Sequence, residues 1–105
     1  MEFLYRVSAT RAGMVTEGPT EAEKTIVEQH FNYLKSLTER GIVLVFGRTL
    51  NRDAGAFGIV IFRAGSKEEA ESTMNNDPAV KQGIMQALLY PFQLGGLNAR
   101  DWQVK

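Results

Sequence analysis

The segment TEAEKTIVEQHFNYLKSLTERG, residues 20–41, runs directly into IVLVFGRTL, residues 42–50. The first segment repeats its apolar residues at helical spacing, whereas the second is a run of β-branched and aromatic residues typical of a strand. Thr20 followed three positions later by Glu23 is the capping-box pattern of a helix start, and Gly41 is the expected stop. A long helix followed at once by a strand is therefore the starting point for assigning the rest of the chain.

The remaining elements are shorter, and Gly, Pro and capping residues separate them. The patterns predict strands at 2–10, 57–62 and 84–94, a loop at 11–19, a helix at 67–76 after a Ser66–Glu69 capping box, and a helical turn at 78–82. The order β-α-β-β-α-β predicts an α+β, ferredoxin-like fold, in which two helices cover one face of a four-stranded antiparallel sheet. We expect a single domain over 1–105, and Pro91 predicts that the last strand lies at a sheet edge.

The predicted strands are apolar on both faces, although two helices can cover only one. In the second strand, Ile42, Leu44 and Phe46 would face one way and Val43 and Val45 the other. The third and last strands show the same two-sided pattern. Large exposed apolar patches are uncommon on monomers, so we expect a homodimer in which two sheets pack face to face. A monomer that tolerates the apolar face, or covers it with its tail, is the alternative.

Composition excludes several classes of function. Twelve basic and twelve acidic residues give a formal net charge of zero, so we expect neither nucleic acid nor a membrane surface as a partner. The chain has no cysteine and one histidine, which excludes thiolate chemistry and makes a metal site improbable. Its glycines match no phosphate-binding motif, and we expect no cofactor. Without a signal-peptide pattern or a membrane-length apolar run, a cytoplasmic location is expected.

The lone histidine, His30, shares a face of the long helix with residues that otherwise look like core. A core histidine whose ring nitrogens bond to backbone is the ordinary interpretation. A catalytic histidine needs a carboxylate on its other ring nitrogen to fix the tautomer and stabilise the charged form. Asp53, Asp77 and Asp101 are the candidates. Asp53 suits a hairpin turn, whereas Asp77 suits either this role or the N-cap of the 78–82 turn.

A wider pattern joins these residues. A helical histidine precedes leucines and a glycine, a strand ends in glycine, and Asp-Pro follows the second helix before valine, glycine and Pro-Phe. In this chain they are His30, Leu34, Leu37, Gly41, Gly47, Asp77–Pro78, Val80, Gly83 and Pro91–Phe92.

In order and spacing, this pattern resembles the YciI-like (YCII-related) family over residues 3–93, with the tail 94–105 outside it. The resemblance implies a ferredoxin-like fold, a dimeric α/β barrel, and His30 and Asp77 as an active-site pair. Enzymes of this fold and family mostly move protons on small ring compounds or lactones, as in muconolactone isomerisation and dehydrochlorination. Members often have Gly-Pro where this chain has Gly47–Arg48.

The sequence therefore predicts a cofactor-independent, lyase- or isomerase-type enzyme acting on a small ring or lactone-like molecule. His30 is the expected general base or acid and Asp77 its orienting carboxylate. Arg6 and Arg48 are candidates for holding a substrate carboxylate or stabilising an enolate, unless they are only solvated surface cations. The rival hypotheses are a non-catalytic ligand-binding or stress-associated module, and a structural dimer in which His30 only satisfies a core hydrogen bond.

Overall fold

The structure, a computed structural model, describes residues 1–98. Its elements are strand β1 (Glu2–Ala9), helix α1 (Gly13–Thr16), helix α2 (Glu21–Glu39), strands β2 (Val43–Arg48) and β3 (Gly58–Arg63), helices α3 (Lys67–Asn75) and α4 (Pro78–Lys81), and strand β4 (Met85–Phe92). The predicted β-α-β-β-α-β order of the principal elements is confirmed. Of the tail predicted at 94–105, residues 94–98 form no helix or strand, and the rest lies outside the described residues.

The segment 11–19, predicted as a loop, contains the single helical turn α1. Backbone hydrogen bonds close this turn, including one of 2.8 Å from the N–H of Glu17 to the carbonyl of Gly13. The glycine and proline residues of this segment bound the helical turn and do not prevent it. Gly18, with a φ of 103°, reverses the direction of the chain just after the turn. The prediction was wrong here, since breaker residues alone do not distinguish an irregular loop from one closed turn.

The four strands form one antiparallel sheet in the order β2-β3-β1-β4. Tyr5 in the central strand β1 pairs with Val60 on one side and with Leu89 on the other. Strand β4 lies at the edge, as Pro91 predicted. This is the ferredoxin-like arrangement expected from the sequence.

The helices pack on the sheet face that carries Tyr5, and the opposite face, which we call the open face, has no helix over it. The buried core cluster comprises Phe3, Tyr5, Val7, Leu34, Leu37, Val43, Val60, Phe62, Ala64 and Ala70. Strand alternation and register place a second set on the open face. Its members are Leu4, Arg6, Val45, Ile59, Ile61, Leu88 and Tyr90.

The predicted alternation of β2 was wrong because the strand contains a bulge. Val43 pairs with Phe62 and Val45 with Ile61, so Leu44 is the extra residue between them. A bulge reverses the facing of every later side chain in its strand. Phe46 consequently lies on the same side as Val43 and packs against the core, instead of opposing it.

The predicted capping box at the start of α2 is confirmed. Thr20 Oγ1 accepts from the Glu23 N–H at 3.2 Å, and Glu23 Oε1 accepts from the Thr20 N–H at 2.8 Å. Arg11 binds the same carboxylate, with 3.0 Å between its Nε and Oε2. At α3, Ser66 caps the Glu69 N–H at 3.1 Å. No helix within residues 1–98 is both long enough and apolar enough to cross a bilayer.

Candidate active site

Helix α2 places His30 against the short helix α4, and Asp77 lies at the start of that helix. Asp77 is the N-cap of α4 and Pro78 is its first residue, the arrangement that the Asp-Pro sequence predicts. The Asp77 carboxylate accepts a 3.0 Å hydrogen bond from the Ala79 N–H through Oδ1. The side chain of Asp77 is fully buried, so its charge depends on protein donors rather than on water.

His30 provides the central donor to that carboxylate. Its Nδ1 atom lies 2.7 Å from Oδ1 and 2.8 Å from Oδ2 of Asp77. An ionised carboxylate only accepts, so the proton between the two groups belongs to Nδ1. The hydrogen-bond pattern therefore assigns His30 the tautomer in which Nδ1 is protonated and Nε2 carries the free lone pair.

Tyr5 is a third member of this cluster. Its hydroxyl donates to Oδ2 of Asp77 at 2.8 Å, across 72 positions of the chain. Burial, and then the charge of Asp77, raise the pKa of Tyr5 far above its ordinary value. The hydroxyl therefore stays protonated and remains a donor. Tyr5 is a core residue, and a buried tyrosine hydroxyl requires a hydrogen-bond partner, which here is Asp77.

The other ring nitrogen of His30, Nε2, has no hydrogen-bond partner among the described residues. No buried side-chain nitrogen or oxygen within residues 1–98 lacks a partner. The His30 side chain as a whole is 14% exposed. The imidazole is anchored at one nitrogen and has no partner at the other within the described chain.

Neighbouring polar contacts fix the helices around the pair. The Tyr33 hydroxyl, one turn from His30 on α2, donates to the Thr73 carbonyl at 2.7 Å. Gln82 Nε2 donates to Gln29 Oε1 at 2.9 Å, linking the end of α4 to α2. Burial is the main cause that raises the pKa of Tyr33, and the charge of Asp77 adds to it. These bonds restrict movement of α4 relative to His30.

Neither predicted arginine contacts the pair within the described chain. Arg6 follows Tyr5 on β1, so it projects from the opposite, open face, where its guanidinium lies 4.5 Å from the Phe57 ring centroid. Within one chain the sheet separates Arg6 from His30, so the substrate-binding role of Arg6 stays a prediction. Arg48 ends β2 and lines a groove with Val45 and Phe57.

The other candidate carboxylates do not form part of the cluster. Asp53 Oδ1 accepts from the Gly55 N–H at 2.8 Å and from Asn51 Nδ2 at 2.7 Å, which is turn chemistry. Asp101 lies outside the described residues. Within residues 1–98, no group of three or more His, Cys, Asp or Glu side chains could hold a metal ion.

Comparison with known proteins agrees with the fold and the resemblance. The sequence profile of the YCII-related domain matches residues 1–92. The chain belongs to the YCII-related family. No curated protein matches this YCII-related chain.

Two solved structures are similar to the YCII-related chain to different degrees. One is 5-chloro-2-hydroxyhydroquinone dehydrochlorinase from Burkholderia phenoliruptrix, in complex with 2,5-dihydroxybenzoquinone. It is 24% identical, with a TM-score of 0.68 over 90% of this chain and 96% of that chain. An antibiotic biosynthesis monooxygenase aligns over 90% of this chain and 100% of that one, with 8% identity and a TM-score of 0.48. The first similarity agrees with the ferredoxin-like fold of this chain.

Proposed function

We propose that this protein is a cofactor-independent enzyme that transfers protons on a small ring or lactone-like compound, as a lyase or isomerase. His30 is its general base and acid, and Asp77 is the fixed anion that orients His30. One observation supports this most strongly. A fully buried carboxylate has both oxygens within hydrogen-bond distance of His30 Nδ1, while Nε2 has no partner among the described residues.

This arrangement suits a general base. The carboxylate holds the tautomer in which Nε2 has its lone pair, and its negative charge stabilises the imidazolium that forms when Nε2 accepts a proton. A positioned acid–base group of this kind contributes about 10²–10⁴-fold to a rate. Asp77 itself accepts from three donors, so it acts as a stationary charge rather than as a proton carrier.

The chemical step follows from the free lone pair. Nε2 removes a proton from a carbon next to a carbonyl, and the electron pair of that C–H bond moves into an enolate. In an isomerisation, the imidazolium returns the same proton to a different carbon. In an elimination, the electron pair instead expels a leaving group such as chloride from the neighbouring carbon. Neither route needs an oxidant or a reductant.

Hydroxylated quinones are the first substrate class to test. The dehydrochlorinase with the same fold binds 2,5-dihydroxybenzoquinone, and related rings have the acidic protons and enol forms that a histidine base can use. At 24% identity that similarity shows the fold, so the substrate class belongs to the proposal.

The test is a turnover assay with a panel of chlorinated hydroquinones, hydroxyquinones and unsaturated lactones, followed by ultraviolet absorbance and chloride release. We expect turnover by the wild type and a loss of about 10²-fold or more in His30→Gln. Lys35→Gln is the matched control, because Lys35 is exposed on the same helix. Equal turnover by wild type and His30→Gln would exclude His30 as the base.

Ligand binding without catalysis is the second candidate function. A groove lined by Val45, Arg48 and Phe57 lies at the end of β2 and does not include His30. Arg48 there could hold an anionic group beside an apolar ring. A ligand that perturbs the NMR signals of this groove, with no change in the ligand itself, would favour this function.

We also propose a homodimer formed through the open face. Leu88 and Tyr90 are 55% and 47% exposed there, and Val45 is 41% exposed. Apolar side chains side by side on one sheet face are unfavourable in water, and a second copy offers a surface of the same chemistry.

A further inference from the structure

The Asp77 carboxylate receives its donors in a balanced arrangement. Oδ1 accepts from the Ala79 N–H at 3.0 Å, and Oδ2 accepts from the Tyr5 hydroxyl at 2.8 Å. His30 Nδ1 lies between the two oxygens, 2.7 Å from one and 2.8 Å from the other. Each oxygen therefore has one donor of its own and shares the third.

We propose that Tyr5 is a positioning residue that holds the Asp77 carboxylate with both oxygens facing His30 Nδ1. The proposed function gives this positioning its purpose, because a fixed carboxylate keeps the free lone pair of the base on Nε2. Tyr5 does not reach a substrate in this arrangement, since it lies in the core and acts through Asp77.

Tyr5 is suited to this role because its own position is rigid. It lies on the central strand, with hydrogen-bonded strands on both sides, and its side chain is fully buried. The Phe62 ring meets it edge-on, with 5.6 Å between the ring centroids. The hydroxyl is therefore located by the sheet, independently of the two helices that carry the other donors and the acceptor.

Without the Tyr5 hydroxyl, the two oxygens of the Asp77 carboxylate no longer have equivalent sets of donors. Oδ1 would keep the Ala79 N–H, whereas Oδ2 would retain only its share of His30 Nδ1. The terminal torsion of an aspartate has a broad energy well, so nothing equivalent would resist rotation toward Ala79. The Nδ1–H bond would then become longer to one oxygen and open more readily to water.

The experiment uses the single histidine, which gives one unambiguous set of imidazole NMR signals. Tyr5→Phe removes the hydroxyl and keeps the ring in the core. Tyr33→Phe is the matched control, because it removes a nearby hydroxyl that donates to the Thr73 carbonyl instead of to Asp77. The readouts are the ¹H shift of the His30 Nδ1–H and its exchange rate with water.

We expect a downfield, slowly exchanging Nδ1–H in the wild type and in Tyr33→Phe. In Tyr5→Phe, this signal should move and its exchange should accelerate by about twofold to tenfold, the factor that corresponds to one net hydrogen bond. If folded Tyr5→Phe retains the wild-type shift and exchange rate, Tyr5 is only a core residue and the inference is wrong.

A second measurement covers the case in which Tyr5→Phe fails to fold. Incorporating 3-fluorotyrosine into the Tyr33→Phe variant leaves Tyr5 and Tyr90 labelled, and only Tyr5 contacts Asp77 in the described structure. The fluorinated phenol is a stronger donor, so the Nδ1–H signal must move; an unmoved signal overturns the inference. These NMR results can be told apart from the turnover assay. If no substrate is turned over but the Nδ1–H signal depends on Tyr5, the proposed enzymatic function is refuted and the positioning role of Tyr5 stands.

Discussion

His30 and Asp77 are 47 positions apart in the chain, and 2.7 Å separates Nδ1 of the first from Oδ1 of the second. The same Asp77 oxygen accepts from the Ala79 N–H as the N-cap of α4. The two roles that the sequence leaves open for Asp77, helix cap and histidine partner, are therefore compatible. One buried carboxylate starts the helix and holds the imidazole.

Asp77→Asn should destabilise the protein and invert the His30 tautomer. The amide oxygen can still cap Ala79, but the amide N–H₂ then faces His30 Nδ1, which must become an acceptor with its proton on Nε2. We expect the free energy of unfolding to fall by about 1–3 kcal/mol, the cost of leaving a buried polar group poorly paired. Urea unfolding and the ¹⁵N shifts of neutral His30 measure the two effects.

Asp53→Asn is the control for this substitution. Asp53 is exposed in a turn, so the same chemical change should alter the free energy of unfolding by no more than about 0.5 kcal/mol and leave the His30 tautomer unchanged. A proton that remains on His30 Nδ1 in Asp77→Asn would contradict the predicted inversion, and a wild-type His30 with its proton on Nε2 would contradict the assigned tautomer.

Glu23→Gln should reduce the fall in the free energy of unfolding that the protein shows at acid pH. The hydrogen bonds from Arg11, and then from the Thr20 N–H, lower the pKa of Glu23 from 4.5 to about 2. Because the folded-state pKa is the lower one, the contribution of Glu23 is complete above about pH 4.5 and is lost as the pH falls toward 2. Denaturant unfolding across this window should show a smaller decline in Glu23→Gln than in the wild type.

Glu21→Gln is the matched control on the same helical turn. Its side chain is 92% exposed and forms only a 3.3 Å surface pair with Lys24. Surface pairs of this kind contribute little, so the decline between pH 4.5 and 2 should match that of the wild type. Indistinguishable declines in the two variants would disprove the role given to the Arg11–Glu23 pair.

Leu88→Glu should convert the proposed homodimer into a monomer. It places a charge on the edge strand β4 of the open face, where dimer formation would bury it. Light scattering after size exclusion should give twice the chain mass of 11.7 kDa for the wild type and the single mass for this variant. Leu50→Glu, at a 78% exposed residue beyond β2, should remain dimeric. A monomeric wild type would refute the proposal.

Gly41→Ala should cost about 1–2 kcal/mol through the backbone alone. Gly41 ends α2 with a φ of +75°, and an added Cβ would meet no atom within 4 Å. The N–H of the next residue, Ile42, donates to the Leu37 carbonyl at 2.9 Å and completes a Schellman motif. Thermal or urea unfolding measures the loss.

Gly47→Ala separates this backbone effect from a general loss of glycine. Gly47 also has open space at the Cβ position but lacks the positive φ. We expect a change within about 0.5 kcal/mol. Similar losses at both positions would show that backbone handedness is not the cause.

Local patterns predicted the elements well because their determinants are close together in sequence. Thr20 with Glu23 located the start of α2, and Gly41 located its end. Local patterns could not predict that Leu44 is an extra residue, because a bulge is defined only by how the strand pairs with its partner strand. One unpaired residue then changed which β2 side chains reach the core.

The candidate site was only partly predictable for the same reason. Helical spacing placed His30 on the inner face. Residue chemistry explained Asp53 as a turn residue and left Asp77 as either a helix cap or the partner of His30, and the family resemblance favoured the second role. The Tyr5 contact depends on the strand register and on the docking of α4. The alternation of side chains along β1 placed Arg6 and Tyr5 on opposite faces of the sheet, but it did not indicate which face the helices cover.

The pair is also divided between the two halves of the chain. Tyr5 and His30 come from β1 and α2, whereas Asp77 comes from the second half, 72 and 47 positions later. A nascent chain emerging from the ribosome therefore holds an imidazole and a phenol long before their carboxylate has been synthesised. Only when residue 77 has emerged and α4 has docked can the imidazole donate to this carboxylate, so the first half of the chain cannot form the cluster without the second.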